Sequence, residues 1–320
     1  MDEDALIARY FAPLARAPGA AGLRDDAAEI APLPEGRVLA LTTDALVEGV
    51  HFLERDPLET VARKLVRVNV SDLLAKGARP REAALTLAWP TERDPSALEG
   101  FAAAMGEELA AWGIDLIGGD TVRQPGPLMV SLTLIGVSCG PRLVRRSGAA
   151  PGDRLWITGE IGWGHIGLAA ARALPEGGGA ETPESSLAAS KYRAPQLPPL
   201  SAANLLARYA TAAMDVSDGL LADLAKLLRA SGVSAQLEAD RVPLARKAAS
   251  FAGAAAQLTG GDDYQILLTA PADISESLGK AAARIGLGIT DIGSIDRGQG
   301  LSVSWHGTRV TLPKTLGFSH

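Results

Sequence analysis

Six short acidic clusters punctuate the chain: Asp25-Asp26, Thr43-Asp44, Ser71-Asp72, Gly118-Gly119-Asp120-Thr121, Asp215-Val216-Ser217-Asp218-Gly219 and Gly260-Gly261-Asp262-Asp263. Several stand directly after an apolar run that reads as a strand. Any one of them alone is ordinary turn and helix-cap chemistry. Together they ask for more. If strand ends bring the carboxylates to one place, like charges in a partly desolvated site must be neutralised by protons or cations. Mg²⁺ is the expected cation, because it takes hard oxygen ligands and is commonly held by a few carboxylates plus the phosphates of a substrate. Hydroxyls on Thr42, Thr43, Ser71, Thr121 and Ser217 stand beside the acids and could ligate the ion or orient its water.

Asp215 to Gly219 looks at first like a calcium loop, yet such a loop alternates its acids, sets glycine one position later and ends on a distal Glu. Calcium sensing is therefore set aside. Where a strand meets a helix, the same residues offer two carboxylates, a hydroxyl and helix-terminal amides, which suits metal-bridged phosphate. No Gly-x-x-x-x-Gly-Lys-Ser/Thr loop and no protein-kinase loop set occurs. Gly159 to Gly164 is glycine-rich after a strand, a weak sign of phosphate binding by itself. Arg146 reads equally as a nucleotide-phosphate partner or a solvated surface cation, and His51 equally as a substrate contact or a structural imidazole. No Ser-His-Asp arrangement can be argued from spacing.

The elements that must position these residues come from a chain of 320 residues, 47% hydrophobic but only 4% aromatic, so its core is built from Ala, Leu, Val and Ile. Its length allows two domains. A net charge of -6 and a pI near 5.4 argue against a general nucleic-acid binder. A small anionic substrate stays compatible with that charge, because bound metal inverts the local field. Cys139 is the only cysteine, which excludes an internal disulfide and any Cys-based zinc cluster. The acidic start lacks the order of a secretory signal, and the longest apolar run, Leu128 to Val137, is too short for a membrane span. A cytoplasmic protein is expected.

Residues 4–16 carry helical spacing. Strands are expected at Val38–Thr43, Ala83–Trp89, Ile114–Ile117 and Leu128–Val137, and helices at Pro57–Lys76 and Pro95–Trp112, an α/β half. A Gly, Pro and Arg-rich stretch over 139–153 reads as the junction between an N-terminal domain, 1–138, and a C-terminal domain, 154–320. The second half is expected to open with strand Arg154–Thr158 and a helix near His165. Residues 174–187 then read equally as a lid or as a plain insertion. Strands follow at Ala210–Met214 and Gln265–Thr269, helices at Leu220–Ser231 and Ser275–Ile285, and a hairpin at Leu301–Val310 turning on His306-Gly307.

Several segments in this order, Arg24 to Ala28, Thr42 to Phe52, Val68 to Leu73, Gly118 to Thr121, Arg146 to Asp153, Asp215 to Leu220 and Gly260 to Tyr264, resemble the bacterial thiamine-monophosphate kinase family across nearly the whole chain. The resemblance implies the two-domain, mixed α/β fold of the aminoimidazole-ribonucleotide synthetase superfamily. It further implies γ-phosphoryl transfer from ATP to thiamine phosphate with several Mg²⁺ ions, by a homodimer, and leaves a monovalent-cation requirement open. Carried over by motif, it implies Asp26, Thr42, Thr43, Asp44, Asp72, Asp120, Asp215 and Asp218 as magnesium ligands, with Asp44, Asp72, Asp120 and Asp218 central to transfer. Gly119, Asp120, Arg146 and Ser217 are implied at ATP, and His51, Asp262 and Phe318 at the thiamine moiety. The chain departs from the family at Arg24 for Gly, Trp163 for Asp in the glycine turn and Asp262 for Glu. The Arg-x-Pro-x-Pro-Arg stretch is reduced to Arg193-Ala194-Pro195 and the aromatic C-terminal motif to Gly317 to His320. Other ATP-dependent activations on this fold, and a nucleotide binder without turnover, remain alternatives. Selenophosphate chemistry is disfavoured, because an N-terminal reactive Cys is missing.

Overall fold

The Leu, Ala and Thr-rich run 39–47 and the run 129–138, whose apolar and polar residues alternate over 130–134, give β1, Leu39–Val47, and β4, Met129–Ser138, whose antiparallel pairing sets Thr42 opposite Leu134 and Asp44 opposite Leu132. The computed structural model describes residues 3–24, 27–173 and 182–318. Its chain divides into two units, Met1–Leu73 with Arg79–Pro141, and Leu74–Ala78 with Arg142–His320.

In the first unit a short helix α1, Glu3–Leu6, passes into a π turn, Ile7–Phe11, and a 3₁₀ turn, Ala12–Leu14. The single helix expected over 4–16 is thus three kinds of turn, and Pro13, which has no amide hydrogen, sits where the α ladder has already ended. Between β1 and β4 come α2, Leu58–Ala75, β2, Ala78–Pro90, α3, Leu98–Trp112, and β3, Asp115–Gln124. Helix α2 buries Val61, Leu65, Val68, Leu73 and Leu74, and Gly77 follows it at φ 66°, as a helix stop requires. A 3₁₀ turn at Pro95–Ala97, capped by the Asp94 carboxylate on the Ser96 amide at 2.9 Å, leads into α3, which ends on Gly113 in the left-handed region. The sheet order is β1-β4-β2-β3.

Two strands run further than the sequence suggests. Thr43-Asp44 lies inside β1 and Gly118 to Thr121 inside β3, rather than just past strand ends. Hydrogen bonding to neighbours carries the strand through these polar residues, as sheet pairing commonly overrides local composition. Ser71-Asp72 sits on α2.

The second unit contains β5, Asp153–Thr158, α4, Trp163–Ala173, α5, Pro183–Arg193, α6, Ala202–Tyr209, β6, Ala212–Asp215, α7, Leu220–Ser231, and β7, Ser234–Glu238. After these come α8, Phe251–Leu258, β8, Ile266–Pro271, α9, Ser275–Arg284, β9, Ile289–Asp296, β10, Gly300–Trp305, and β11, Thr308–Arg309. The sheet order is β11-β10-β7-β9-β5-β8-β6, with β10 and β7 parallel and β5 antiparallel to both of its neighbours. Leu155, Ile157, Met214, Leu224, Leu228, Leu237, Leu267 and Ile292 are among the residues of its core. The C-terminal hairpin turns on His306 and Gly307, both at positive φ. Of the loop expected over 174–187, residues 174–181 lie outside the described residues, and the remainder is corrected: Pro183 opens α5, because Thr182 caps the Ser185 amide and Pro is favoured in a first helical turn. No described helix is long and apolar enough to cross a membrane.

Candidate functional site

The first unit brings one carboxylate pair together. Thr42 and Asp44 share a face of β1, as strand alternation demands, and both look toward α2. Thr42 Oγ1 donates a short hydrogen bond to Asp72 Oδ2. The Asp44 amide donates to Asn69 Oδ1 at 3.0 Å, and Asn69 Nδ2 donates to the Leu65 carbonyl at 2.9 Å. Asn69 is fully buried one turn before Asp72 and so fixes β1 against the helix. Burial pushes Asp44 up to about 6, and the nearby Asp72 carboxylate adds to the rise. Two acids and a hydroxyl, with no ion pair to a Lys or Arg among the described residues, make a hard-oxygen donor set.

Thr43 is not part of that group. Its hydroxyl lies on the opposite face of β1, accepting from Thr133 Oγ1 at 3.1 Å and lying 3.5 Å from Ser131 Oγ. Asp120 is exposed on β3, two residues after a backbone irregularity in the β2 pairing. Gly119 before it could not be another residue, because a Cβ there would stand 2.0 Å from the Leu85 carbonyl oxygen. Asp26 lies outside the described residues. Among the described residues no group of three or more His, Cys, Asp or Glu side chains is arranged to hold a metal.

His51 sits in the β1 to α2 loop, where its Nδ1 accepts the Val47 amide at 3.0 Å, so the proton of the neutral ring is on Nε2. The buried Lys64 ammonium donates to the His51 carbonyl at 3.0 Å, and Glu48 accepts both Arg93 and the Leu128 amide. These bonds hold the loop rigidly.

In the second unit the Asp215 to Gly219 and Gly260 to Tyr264 motifs are pressed together through backbone. The Asp262 amide donates to the Ser217 carbonyl at 2.9 Å and the Tyr264 amide to the Val216 carbonyl at 2.8 Å. Asp215 is buried at the end of β6. Asp262 and Tyr264 take φ of 67° and 51°, an uncommon region for residues with side chains, and the Tyr264 hydroxyl donates to Asp262 Oδ1 at 2.9 Å. Backbone strain at two motif positions one residue apart is typical of a held functional loop. Phe318 is exposed, but its amide donates to the Asp218 carbonyl at 2.9 Å, so the chain's end is tied to this motif.

Asp223 and Lys226, on the first two turns of α7, were not singled out from the sequence. Asp223 Oδ2 accepts the Ser217 and Asp218 amides at 3.0 and 2.9 Å, which caps the helix. Lys226 Nζ reaches Asp223 Oδ1 at 2.7 Å and makes a short contact with Asp218 Oδ2. Burial holds Asp223 above the usual carboxylate range, against the pull of Lys226. Asp218 therefore carries a protein counterion, which Asp44 does not. An acid four residues after the helix-opening Gly219 was the available sign of this cap.

Arg146 is exposed, and its carbonyl accepts Ser231 Oγ at the far end of α7. A helix of 12 residues is about 18 Å long, so the structure does not bring the Arg146 backbone to Ser217.

The glycine turn is tied in by one carboxylate that the sequence reading left without a role. Asp263, 4% exposed, accepts the Gly162 amide at 2.8 Å on Oδ2 and the Gly164 amide at 3.0 Å on Oδ1. Burial drives it up to about 7 despite these bonds. A cavity of about 280 Å³ lies beside it, lined in part by Glu160, Trp163, Lys191, Pro198, Asp262 and Leu287.

The sequence and fold have close counterparts among known proteins. Residues 24–138 match the AIR synthase related protein N-terminal domain, and residues 150–306 match the corresponding C-terminal domain. Thiamine-monophosphate kinase of Caulobacter vibrioides is 39% identical over 98% of this chain and 89% of its own. The crystal structure of thiamine-monophosphate kinase from Stenotrophomonas maltophilia K279a superposes with a TM-score of 0.79 at 34% identity, covering 90% of each chain. AaThiL, solved in complex with AMPPCP and TMP, superposes with a TM-score of 0.76 at 29% identity, covering 89% of this chain and 88% of that one. Near-complete identity-bearing overlap, on the two-domain fold just described, means that the chain belongs to the thiamine-monophosphate kinase family.

Proposed function

We propose that the protein transfers the γ-phosphoryl group of ATP to thiamine phosphate, forming thiamine diphosphate. The observation that carries this reading is the overlap with AaThiL, a relative solved with an ATP analogue and TMP, over 89% of the chain. Thr42, Asp44 and Asp72 support it with a hard-oxygen set whose acids make no ion pair to a Lys or Arg among the described residues. These three would hold Mg²⁺, joined in the proposal by Asp26, Thr43, Asp120, Asp215 and Asp218. Thr43 would have to serve through its carbonyl or through water, since its hydroxyl faces away. Bound magnesium would offset the charge between two polyanions.

The attacking oxygen belongs to a phosphate already ionised at neutral pH, so no side chain has to remove a proton. Catalysis reduces to in-line placement and charge balance, as expected for a loose phosphoryl-transfer transition state. That accounts for a donor set rich in Asp with no catalytic base among the assigned residues. Gly119, Asp120 and Ser217 are assigned to ATP. Arg146 is assigned with them, through its long side chain alone. His51, Asp262 and Phe318 are assigned to the thiamine moiety, and each is held by a defined bond: the Val47 amide on His51, the Tyr264 hydroxyl on Asp262 and the Asp218 carbonyl on Phe318.

The same proposal makes the protein a cytoplasmic homodimer. ATP is its co-substrate, and the first unit exposes an apolar sheet face that fits a second copy. Leu39 and Leu41 are 45% and 68% exposed on β1, and their partners across the pair are Val137 and Ile135. Purified protein given ATP, Mg²⁺ and thiamine phosphate is expected to yield thiamine diphosphate, read by chromatography. No product above an enzyme-free blank would sink the reading.

A further inference from the structure

Trp163 stands at one of the places where this chain departs from its family's sequence pattern, and the structure shows that its placement is tightly controlled. It opens α4, and the amides on either side of it, Gly162 and Gly164, both donate to the buried Asp263 carboxylate. A carboxylate clamping two amides ties the residue between them to the loop that carries Asp262. Nothing larger fits at the clamp: a Cβ on Gly164 would lie 2.0 Å from the Gly261 carbonyl oxygen. The indole is then oriented by its own polar edge, with Nε1 donating to Glu160 Oε2 at 2.7 Å. Lys191 Nζ stands 5.6 Å from the ring centroid and is itself bonded to Gln196 Oε1. Backbone, edge and face are each held.

Trp163 lines the 280 Å³ cavity that Asp262 also lines. That volume is at the small end for a ligand pocket, room for one ring system rather than a nucleotide. Its lining is unusual for a phosphate site. Glu160 and Asp262 are acidic residues of that lining, Lys191 is a basic one already bonded to Gln196, Pro198 and Leu287 are apolar, and Trp163 is the aromatic element. Apolar surface beside an aromatic residue, with two acids against one lysine that Gln196 already engages, favours a planar heteroaromatic group that carries positive charge or ring amino donors.

We propose that Trp163 is a specificity-determining residue that packs on a heteroaromatic ring of the phosphate acceptor, with Asp262 and Glu160 supplying the complementary charge. The inference rests on the thiamine phosphate reading, whose acceptor has a cationic thiazolium linked to an aminopyrimidine, and it assigns the ring contact to a residue of this chain. The Asp263 clamp makes the contact possible by fixing where the indole starts.

Steady-state kinetics and calorimetry of wild type, Trp163→Ala and Trp163→Phe test this, with a melting curve for each. Trp163→Ala is expected to raise the KM for thiamine phosphate roughly tenfold, with kcat and the KM for ATP within about twofold, from loss of one aromatic contact. Trp163→Phe is expected to restore the KM to within about threefold of wild type, because it keeps the face and loses only the indole edge. An unchanged KM for thiamine phosphate in Trp163→Ala overturns the inference. So does a parallel rise in both KM values with a lowered melting temperature, which marks a structural role. Should wild type make no thiamine diphosphate, the kinase reading fails separately, and calorimetry with thiamine phosphate still decides the inference. Binding by wild type that Trp163→Ala loses upholds it, and equal heats in the two proteins overturn it.

Discussion

At the scale of single residues, the two units treat their acids differently. Asp218 and Asp223 share Lys226, whereas Asp72 accepts the Thr42 hydroxyl and Asp44 is held only through its backbone amide on Asn69. The pair in the first unit is thus the one whose charge most needs an external cation. Asp44→Asn or Asp72→Asn is expected to cut turnover about a thousandfold or more by removing a metal-neutralising charge. Circular dichroism and melting should stay close to wild type, since neither acid is a core member, and wild-type turnover in both variants would contradict the assignment. Asp263 makes a different prediction. Its pKa is raised from 3.8 to about 7 by burial, so the folded chain binds a proton there that the unfolded chain releases. The sign follows directly: this contribution is fully present below pH 3.8 and is lost as pH rises through about 7. Asp263→Asn mimics the protonated form and should lack the dependence. Wild-type melting temperature minus that of Asp263→Asn is therefore expected to grow as pH falls from 8 to about 5. A difference that is flat across that range would show that Asp263 stays ionised.

At the scale of elements, glycine decides how closely the motif loops of the second unit can approach. Gly164 lets the first turn of α4 rest on the Gly261 carbonyl, and Gly219, at φ 114°, lets α7 start beside Thr259. Gly164→Ala is expected to destabilise by about 1–3 kcal/mol through overpacking, read as a lower urea midpoint with an unchanged slope. A midpoint equal to wild type would mean that the contact relaxes freely. This closeness also separates what was legible in the chain from what was not. Helices α2, α3, α7 and α9 could be read from apolar spacing and their Pro or Gly ends, and the β10 to β11 hairpin from His306-Gly307. Strands β7 and β9 could not, since Ser234–Glu238 is short, Ile289–Asp296 is interrupted by Asp291, Gly293 and Ser294, and both owe their state to neighbours brought from far along the chain. In the site, the acids announced themselves. Their keepers did not, because Asn69, Asp223, Lys226 and Asp263 act through amides and counterions that have no spacing of their own.

At the scale of the whole molecule, the exposed face of the four-stranded sheet is the feature that a lone chain explains least. Leu39 and Leu41 project from the same side of β1, and residues directly opposite in an antiparallel pair share that side, so Val137 and Ile135 extend the apolar surface across β4. Leucines on the exposed side of a strand are a liability for a monomer, while a sheet face buried against a twofold copy of itself removes it. The same strand carries Thr42 and Asp44 on its other side, toward α2. In the proposed dimer, association and the carboxylate pair would be coupled through one strand: a second copy covering Leu39 and Leu41 would stiffen the backbone that places Asp44. Leu41→Glu puts a charge on this exposed face, and sedimentation velocity is expected to give a dimer for wild type and a monomer for the variant. Because the coupling runs through β1, the monomer should also show weaker binding of Mg²⁺ with ATP than wild type, measured by calorimetry. A wild type that sediments as a monomer would remove the dimer from the proposal. A monomeric Leu41→Glu with unaltered Mg²⁺ and ATP binding would keep the dimer but break its link to the site.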